Sequence, residues 1–233
     1  MGTDGVTARK AHAVALSSVV AAAAVYVLML VGYLQGWGWL AGIDAAALDA
    51  SYDIAVKHPG WVRWWDGVST YLAPAVFRAV CMVVAVVALL RGRLRAALFL
   101  LVAVETSGLL TMVAKGSVGR PRPVTALVSA SSTSFPSGHA LGVMVGVGAL
   151  LVLVLPVLRR SARVAALAVG VLVVAGVGVA RVALNVHHPS DVLAGWALGW
   201  VYLVGWALVF TPWRRPGLPG SRGALQEARD DQP

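Results

Sequence analysis

Long apolar runs, separated by short polar stretches, make up most of this 233-residue chain. Six of the runs are long enough to cross about 30 Å of hydrocarbon, which takes roughly 20 residues of helix. They cover about 13–35, 73–90, 95–114, 138–158, 163–184 and 189–211. The pattern predicts an all-α polytopic membrane protein with six transmembrane helices. Composition agrees: 59% of residues are hydrophobic, only 12% are charged, and the mean hydropathy is +0.79, far above that of soluble domains.

The first run follows Arg9 and Lys10 and contains Ala21 to Ala24, features shared with a cleaved signal peptide. It continues unbroken to about Leu34, beyond the roughly 7–15 residues of a signal core, so an uncleaved span is expected. Residues 1–12 then read as a cytoplasmic N-terminal tail and 13–211 as one six-helix domain. Within that domain, 36–72 carries Trp37, Trp39, Trp61, Trp64 and Trp65 beside Asp44, Asp49, Asp53 and Asp66, which suits an interfacial segment at the headgroups. Residues 212–233, with Pro, Gly and charges of both signs, read as a disordered cytoplasmic tail. Cys81 is the single cysteine, so no intramolecular disulfide forms.

Charge orients the spans. Arg9 and Lys10, the turns with Arg91, Arg93 and Arg95 and with Arg159, Arg160 and Arg163, and then Arg214, Arg215 and Arg222 all fall on one side of a six-span chain. By the positive-inside rule that side is cytoplasmic, so part of the net charge of +9 is topology. No basic run interleaves with aromatics, and no nucleic-acid partner is expected.

The other side receives 36–72, 115–137 and 185–188, and the polar chemistry gathers there. Lys115 to Pro123 reads KGSVGRPRP, Ser134 to His139 reads SFPSGH, and Arg181 to Asp191 reads RVALNVHHPSD. Lys115, Arg122 and Arg181 supply positive charge. Ser137 and Gly138 begin the fourth span and Pro189 the sixth, so two helix N-termini point at the same region, as suits a dianion such as phosphate. His187 precedes Asp191 by four residues, close enough for the carboxylate to orient the ring. His139, from another span, is placed to give a proton to a leaving oxygen.

These segments resemble the type 2 phosphatidic acid phosphatase superfamily, whose signature is KxxxxxxRP, then PSGH, then SRxxxxxHxxxD. Lys115, Arg122 and Pro123 fit the first motif, Pro136 to His139 the second, and Arg181, His187 and Asp191 the third. The resemblance covers roughly residues 70–210 and is to the membrane-bound branch. It implies that His187 forms a phosphohistidine, that Asp191 holds its ring and that His139 protonates the leaving group. Lys115, Arg122, Ser137, Gly138 and Arg181 would hold the phosphoryl oxygens, with no metal and no cofactor. Ala180 stands where the motif has Ser, which implies a weaker phosphate grip.

The function so implied is hydrolysis of a lipid phosphomonoester or diphosphate, such as phosphatidate, phosphatidylglycerol phosphate or an isoprenyl diphosphate, at the extracytoplasmic face of the cell membrane. A lipid-linked phosphotransferase and a non-catalytic lipid-binding or transport protein are the alternatives. His188 as nucleophile would break the motif spacing. Arg120 reads as a headgroup contact or an interfacial cation, Arg78 as a snorkelling or phosphate-pairing residue, and Glu105 as a carboxyl packed within the bundle or an intramembrane functional group. Glycines at 138, 142 and 146 and at 195 and 199 form stripes of small residues that suit bundle packing or a homodimer.

The arginine distribution makes the topology testable. Cysteines introduced near Trp61 and Ala126 should react with an impermeant thiol reagent on intact cells, and cysteines near Gly92 and Ser161 should not. The reverse pattern would put the motifs on the cytoplasmic side.

Overall fold

The computed structural model describes the backbone of residues 3–210 and the side chains of residues 13–210; the predicted tail at 212–233 lies outside the described residues. Nine α-helices are present among them: α1 (Thr3–Leu34), α2 (Gly38–Lys57), α3 (Pro59–Tyr71), α4 (Pro74–Leu90), α5 (Leu94–Leu100), α6 (Ser107–Val118), α7 (Gly138–Val154), α8 (Arg160–Ala183) and α9 (Pro189–Phe210). Helix α1 reaches back to Thr3, through most of the segment expected as a tail.

Six stretches are long and apolar enough to span a membrane: Ala13–Leu34, Pro59–Leu90, Leu94–Val118, Gly138–Val157, Arg160–Ala183 and Pro189–Phe210. They match the six hydropathy runs, with one extension. The segment expected at the interface folds into α2 and α3, and α3 leads into α4 across only Leu72 and Ala73, where Pro74 restarts the helix without needing the N–H it lacks. Helix α2 returns to the bundle and buries Leu40, Asp44 and Leu48 at a spacing of four, against α8 and α9.

The third span is not one regular helix. Between α5 and α6 the chain makes a π-helical turn over Leu101–Glu105, and the Thr106 hydroxyl donates to the Val102 carbonyl at 2.5 Å. The extra residue of a π turn rotates the faces of α6 relative to those of α5. Glu105 ends up exposed, not packed within the bundle as one sequence reading expected.

Helix α7 lies at the centre and packs against α4, α8 and α9. Its contact with α9 is backbone-close. A Cβ on Gly195 would lie 2.6 Å from the Ser137 carbonyl oxygen, and one on Gly199 3.0 Å from that of Leu141. Gly142 and Gly146 instead abut the side chains of Pro74 and Phe77, at 2.8 and 2.7 Å from a built Cβ. The glycine stripes are therefore used inside the bundle. This crossing sets the first turn of α7 beside that of α9, where the Ser137 amide donates to the Asp191 carbonyl at 2.9 Å.

Gly195→Ala should destabilise the protein by about 1–3 kcal/mol, because the new methyl meets main chain that cannot swing aside. Gly205, which has nothing within 4 Å of a built Cβ, is the control, and Gly205→Ala should cost nothing. Thermal unfolding of the two variants in one detergent checks this, and equal midpoints would exclude a backbone-tight crossing.

Candidate active site

Gly119 adopts a left-handed φ of 66°, which closes α6 one turn after Lys115 and sends the chain into the loop 120–137. That loop, α3, α6, the first turn of α7, the end of α8 and the turn that carries His187 line a cavity of about 1250 Å³. Lys115, Arg122, Gly138, His139, Arg181 and His187 line it. Five polypeptide segments thus bring six of the eight sequence-predicted residues to one wall, and the remaining two, Asp191 and Ser137, sit behind it.

The three cations on the wall are held by neutral oxygens. Lys115 Nζ donates to the Thr133 carbonyl and, at 3.5 Å, to that of Ser134. Arg122 donates through Nε to the Ser132 carbonyl at 2.6 Å and through Nη1 to the Val186 carbonyl at 2.7 Å. Arg181 donates through Nη1 to the Ser69 hydroxyl at 2.6 Å, while its buried Nε has no partner. These oxygens position the side chains without neutralising them, so the cavity keeps a positive charge that an anion can complement. Burial pulls the Arg122 guanidinium below its ordinary pKa, against the attraction of Asp191. The backbone N–H groups of Gly138 and His139 belong to the first turn of α7 and add a helix N-terminus to the same wall.

Helix α9 does not contribute its N-terminus to the cavity as the sequence suggested. Pro189 has no N–H, and the Ser190 amide donates to Asp44 Oδ1 at 3.0 Å, so α2 supplies a carboxylate cap for α9. Ser137 is likewise turned inward. Its hydroxyl caps its own helix, accepting from the Ala140 amide at 3.5 Å, and it forms no part of the wall. Ala180 is fully buried and also absent from the wall. The missing motif hydroxyl therefore does not leave a gap facing an anion.

His187 is 1% exposed and sits between opposite charges. Its Nδ1 lies 3.5 Å from Asp191 Oδ2, within ion-pair range but not aligned as a hydrogen bond, and its Nε2 lies 3.2 Å from Arg122 Nη1 on the cavity side. Burial lowers its pKa to about 4, with Asp191 opposing and Arg122 and Arg181 reinforcing the shift. The ring is consequently neutral at physiological pH, with a lone pair available. His188 also faces Asp191, with Nδ1 3.2 Å from Oδ2 and its own amide at 2.9 Å from the same oxygen, yet it does not line the cavity.

The residue that sequence reasoning undervalued is Arg120. It is 7% exposed and its guanidinium is held by side chains of the protein. One guanidinium nitrogen donates to Asp191 Oδ1 and to the Ser190 hydroxyl, both at 2.7 Å, and the other donates to Asp44 Oδ2 at 2.9 Å. The group also stacks over the Tyr33 ring, 4.6 Å from its centroid. Asp44 and Asp191 are themselves 2% and 0% exposed. A legible signal existed for Asp44: a carboxylate midway between Leu40 and Leu48 on one helix face occupies a core position and demands a partner.

The PAP2 superfamily pattern matches residues 96–215. Phosphatidylglycerophosphatase B of Bacillus subtilis (strain 168) is 41% identical over 106 residues, which is 44% of this chain and 52% of that protein. The chain therefore spans about half the length of the curated relative it matches. The crystal structure of a transmembrane PAP2 type phosphatidylglycerolphosphate phosphatase from Bacillus subtilis shares the fold. It superposes with a TM-score of 0.74 at 23% identity, over 86% of this chain and 99% of that one.

Arg120→Leu should cost about 3–5 kcal/mol, since it strands two buried carboxylates without their cation. A second substitution at Asp44, to Leu, should recover part of that loss, and the double-mutant cycle read from denaturation midpoints measures the coupling. Additive losses would mean that Arg120 and Asp44 do not act as a pair.

Proposed function

The chain belongs to the PAP2 superfamily, and from that premise we propose that it is a membrane lipid phosphatase that removes a terminal phosphoryl group through a phosphohistidine. The observation that carries this reading is the His187 ring, buried neutral against Asp191, with Nε2 directed at a cavity whose cations, among the described residues, have no carboxylate partners in contact.

In the first step the Nε2 lone pair forms a bond to phosphorus while the bond from phosphorus to the lipid oxygen breaks. The leaving oxygen takes a proton from His139. Lys115, Arg122 and Arg181, with the Gly138 and His139 amides, balance the charge on the three phosphoryl oxygens. Positive charge that develops on His187 falls beside Asp191. In the second step water attacks the phosphohistidine, gives a proton to His139, and inorganic phosphate leaves. No metal or cofactor enters either step.

Phosphatidylglycerol phosphate is the first substrate to test, because the relative from Bacillus subtilis is named for it. Phosphatidate and isoprenyl diphosphates present the same terminal group. The arginine-rich turns 91–95 and 159–163 lie at the opposite ends of the spans from the cavity, which supports an active site on the extracytoplasmic face of the cell membrane.

The two histidines should separate experimentally. His187→Ala should abolish the acid-labile, alkali-stable phosphoenzyme with every substrate. His139→Ala should lose about 10²- to 10⁴-fold on a lipid alkoxide leaving group and far less on p-nitrophenyl phosphate, whose leaving group needs little protonation. Phosphoenzyme persisting in His187→Ala, or equal losses on both substrates in His139→Ala, would overturn these roles.

A further inference from the structure

One cation near the cavity is not used by the mechanism. Arg78 lies in the second turn of α4, inside a membrane span. It is half-buried, its Nε is fully buried without a partner, and among the described residues it forms no hydrogen bond or ion pair. An unpaired guanidinium at this depth costs several kcal/mol, and such residues mark substrate pathways.

Its position is defined by a glycine. A Cβ on Gly108 would lie 2.6 Å from Arg78 Nη2, so the guanidinium occupies the space that any side chain at 108 would fill. Gly108, Thr111, Met112 and Lys115 all line the cavity, at the spacing of one helix face. Arg78 is not itself on the cavity wall; it lies directly against Gly108, the inner end of the α6 stripe that runs out to Lys115. The two ends lie two turns apart, about 10 Å at 1.5 Å per residue.

We infer that Arg78 binds the inner phosphodiester of a lipid headgroup that carries two phosphates, the outer one being the group attacked by His187. This rests on the phosphatase reading and deepens it. A lipid enters with its terminal phosphate outermost and its glycerol backbone toward the hydrocarbon, so an inner phosphate lies on the Arg78 side of the cavity. The reach of Lys115 and of Arg78, added to the separation of two phosphates across one glycerol, fits a spacing of two helical turns. An ester carbonyl would accept a hydrogen bond but leave the guanidinium charge uncompensated. A phosphodiester offers two anionic oxygens to the planar fork. Glu105, one turn further in, is exposed and forms no ion pair with Arg78. Asp66, the carboxylate on the cavity wall, acts on Arg181.

The test compares phosphatidylglycerol phosphate, which has the inner phosphodiester, with phosphatidate, which lacks it, using the full chain in mixed micelles. Arg78→Met should lower the ratio of kcat/KM for the first lipid to that for the second by roughly tenfold, the effect of losing a charge-assisted hydrogen bond, and chiefly through KM. Arg78→Lys, which keeps the charge without the fork, should fall between. The same loss should appear without turnover, as lower retention of phosphatidylglycerol relative to diacylglycerol on the purified variant. An unchanged ratio, equal losses on both lipids, or the same shift in Glu105→Gln would overturn the assignment. Wild-type protein inactive on both lipids would overturn the phosphatase reading instead, and the retention measurement would still decide the role of Arg78.

Discussion

Arg120 lies between two buried carboxylates, and the geometry of the cavity depends on that arrangement. Its guanidinium bridges Asp44 of α2 and Asp191 of α9 while its own main chain opens the loop that carries Arg122. At low dielectric the attraction within such a cluster is strong, and moving any one member exposes an uncompensated charge. Asp191 is therefore fixed on both oxygens, Oδ1 by Arg120 and Oδ2 by the His188 amide. The His187 ring inherits its orientation from that fixed carboxylate. The cluster also caps α9 through Asp44 and so ties α2, in the segment between the first two spans, to the bundle.

Two classes of cation coexist within a short distance, distinguished by the groups that hold them. Arg120 is neutralised by carboxylates and is structural. Lys115, Arg122 and Arg181 are held by carbonyls and a hydroxyl, which fix direction without cancelling charge. Desolvating uncancelled charges is costly, and an anion in the cavity would offset that cost. The close crossing of α7 and α9 at Gly195 and Gly199 completes the arrangement by bringing the first turn of α7, with His139, against the segment that carries His187.

Hydropathy runs alone marked all six spans, because a helix in lipid must satisfy its backbone internally and so leaves an unbroken apolar signature. Motif spacing favoured His187 over His188, and of the two only His187 lines the cavity. The misreadings share one cause. Ser137 and the start of α9 were expected to serve a phosphate, and Arg120 the headgroups or the interface, but each polar group has several partners available in a folded chain. Ser137 caps its own helix and Asp44 caps α9, alternatives that depend on contacts between segments far apart in sequence.

The order of apolar and polar segments thus determined the class of protein, the number of spans and the set of residues able to meet at one membrane face. Those are properties of local composition and of parity in crossing a bilayer. Which cations stay free for a ligand, and which are consumed by the fold, was decided only in three dimensions. Charge is written in the residue, but whether it is cancelled depends on the distance to a partner that can lie 76 positions away, as Asp44 does from Arg120.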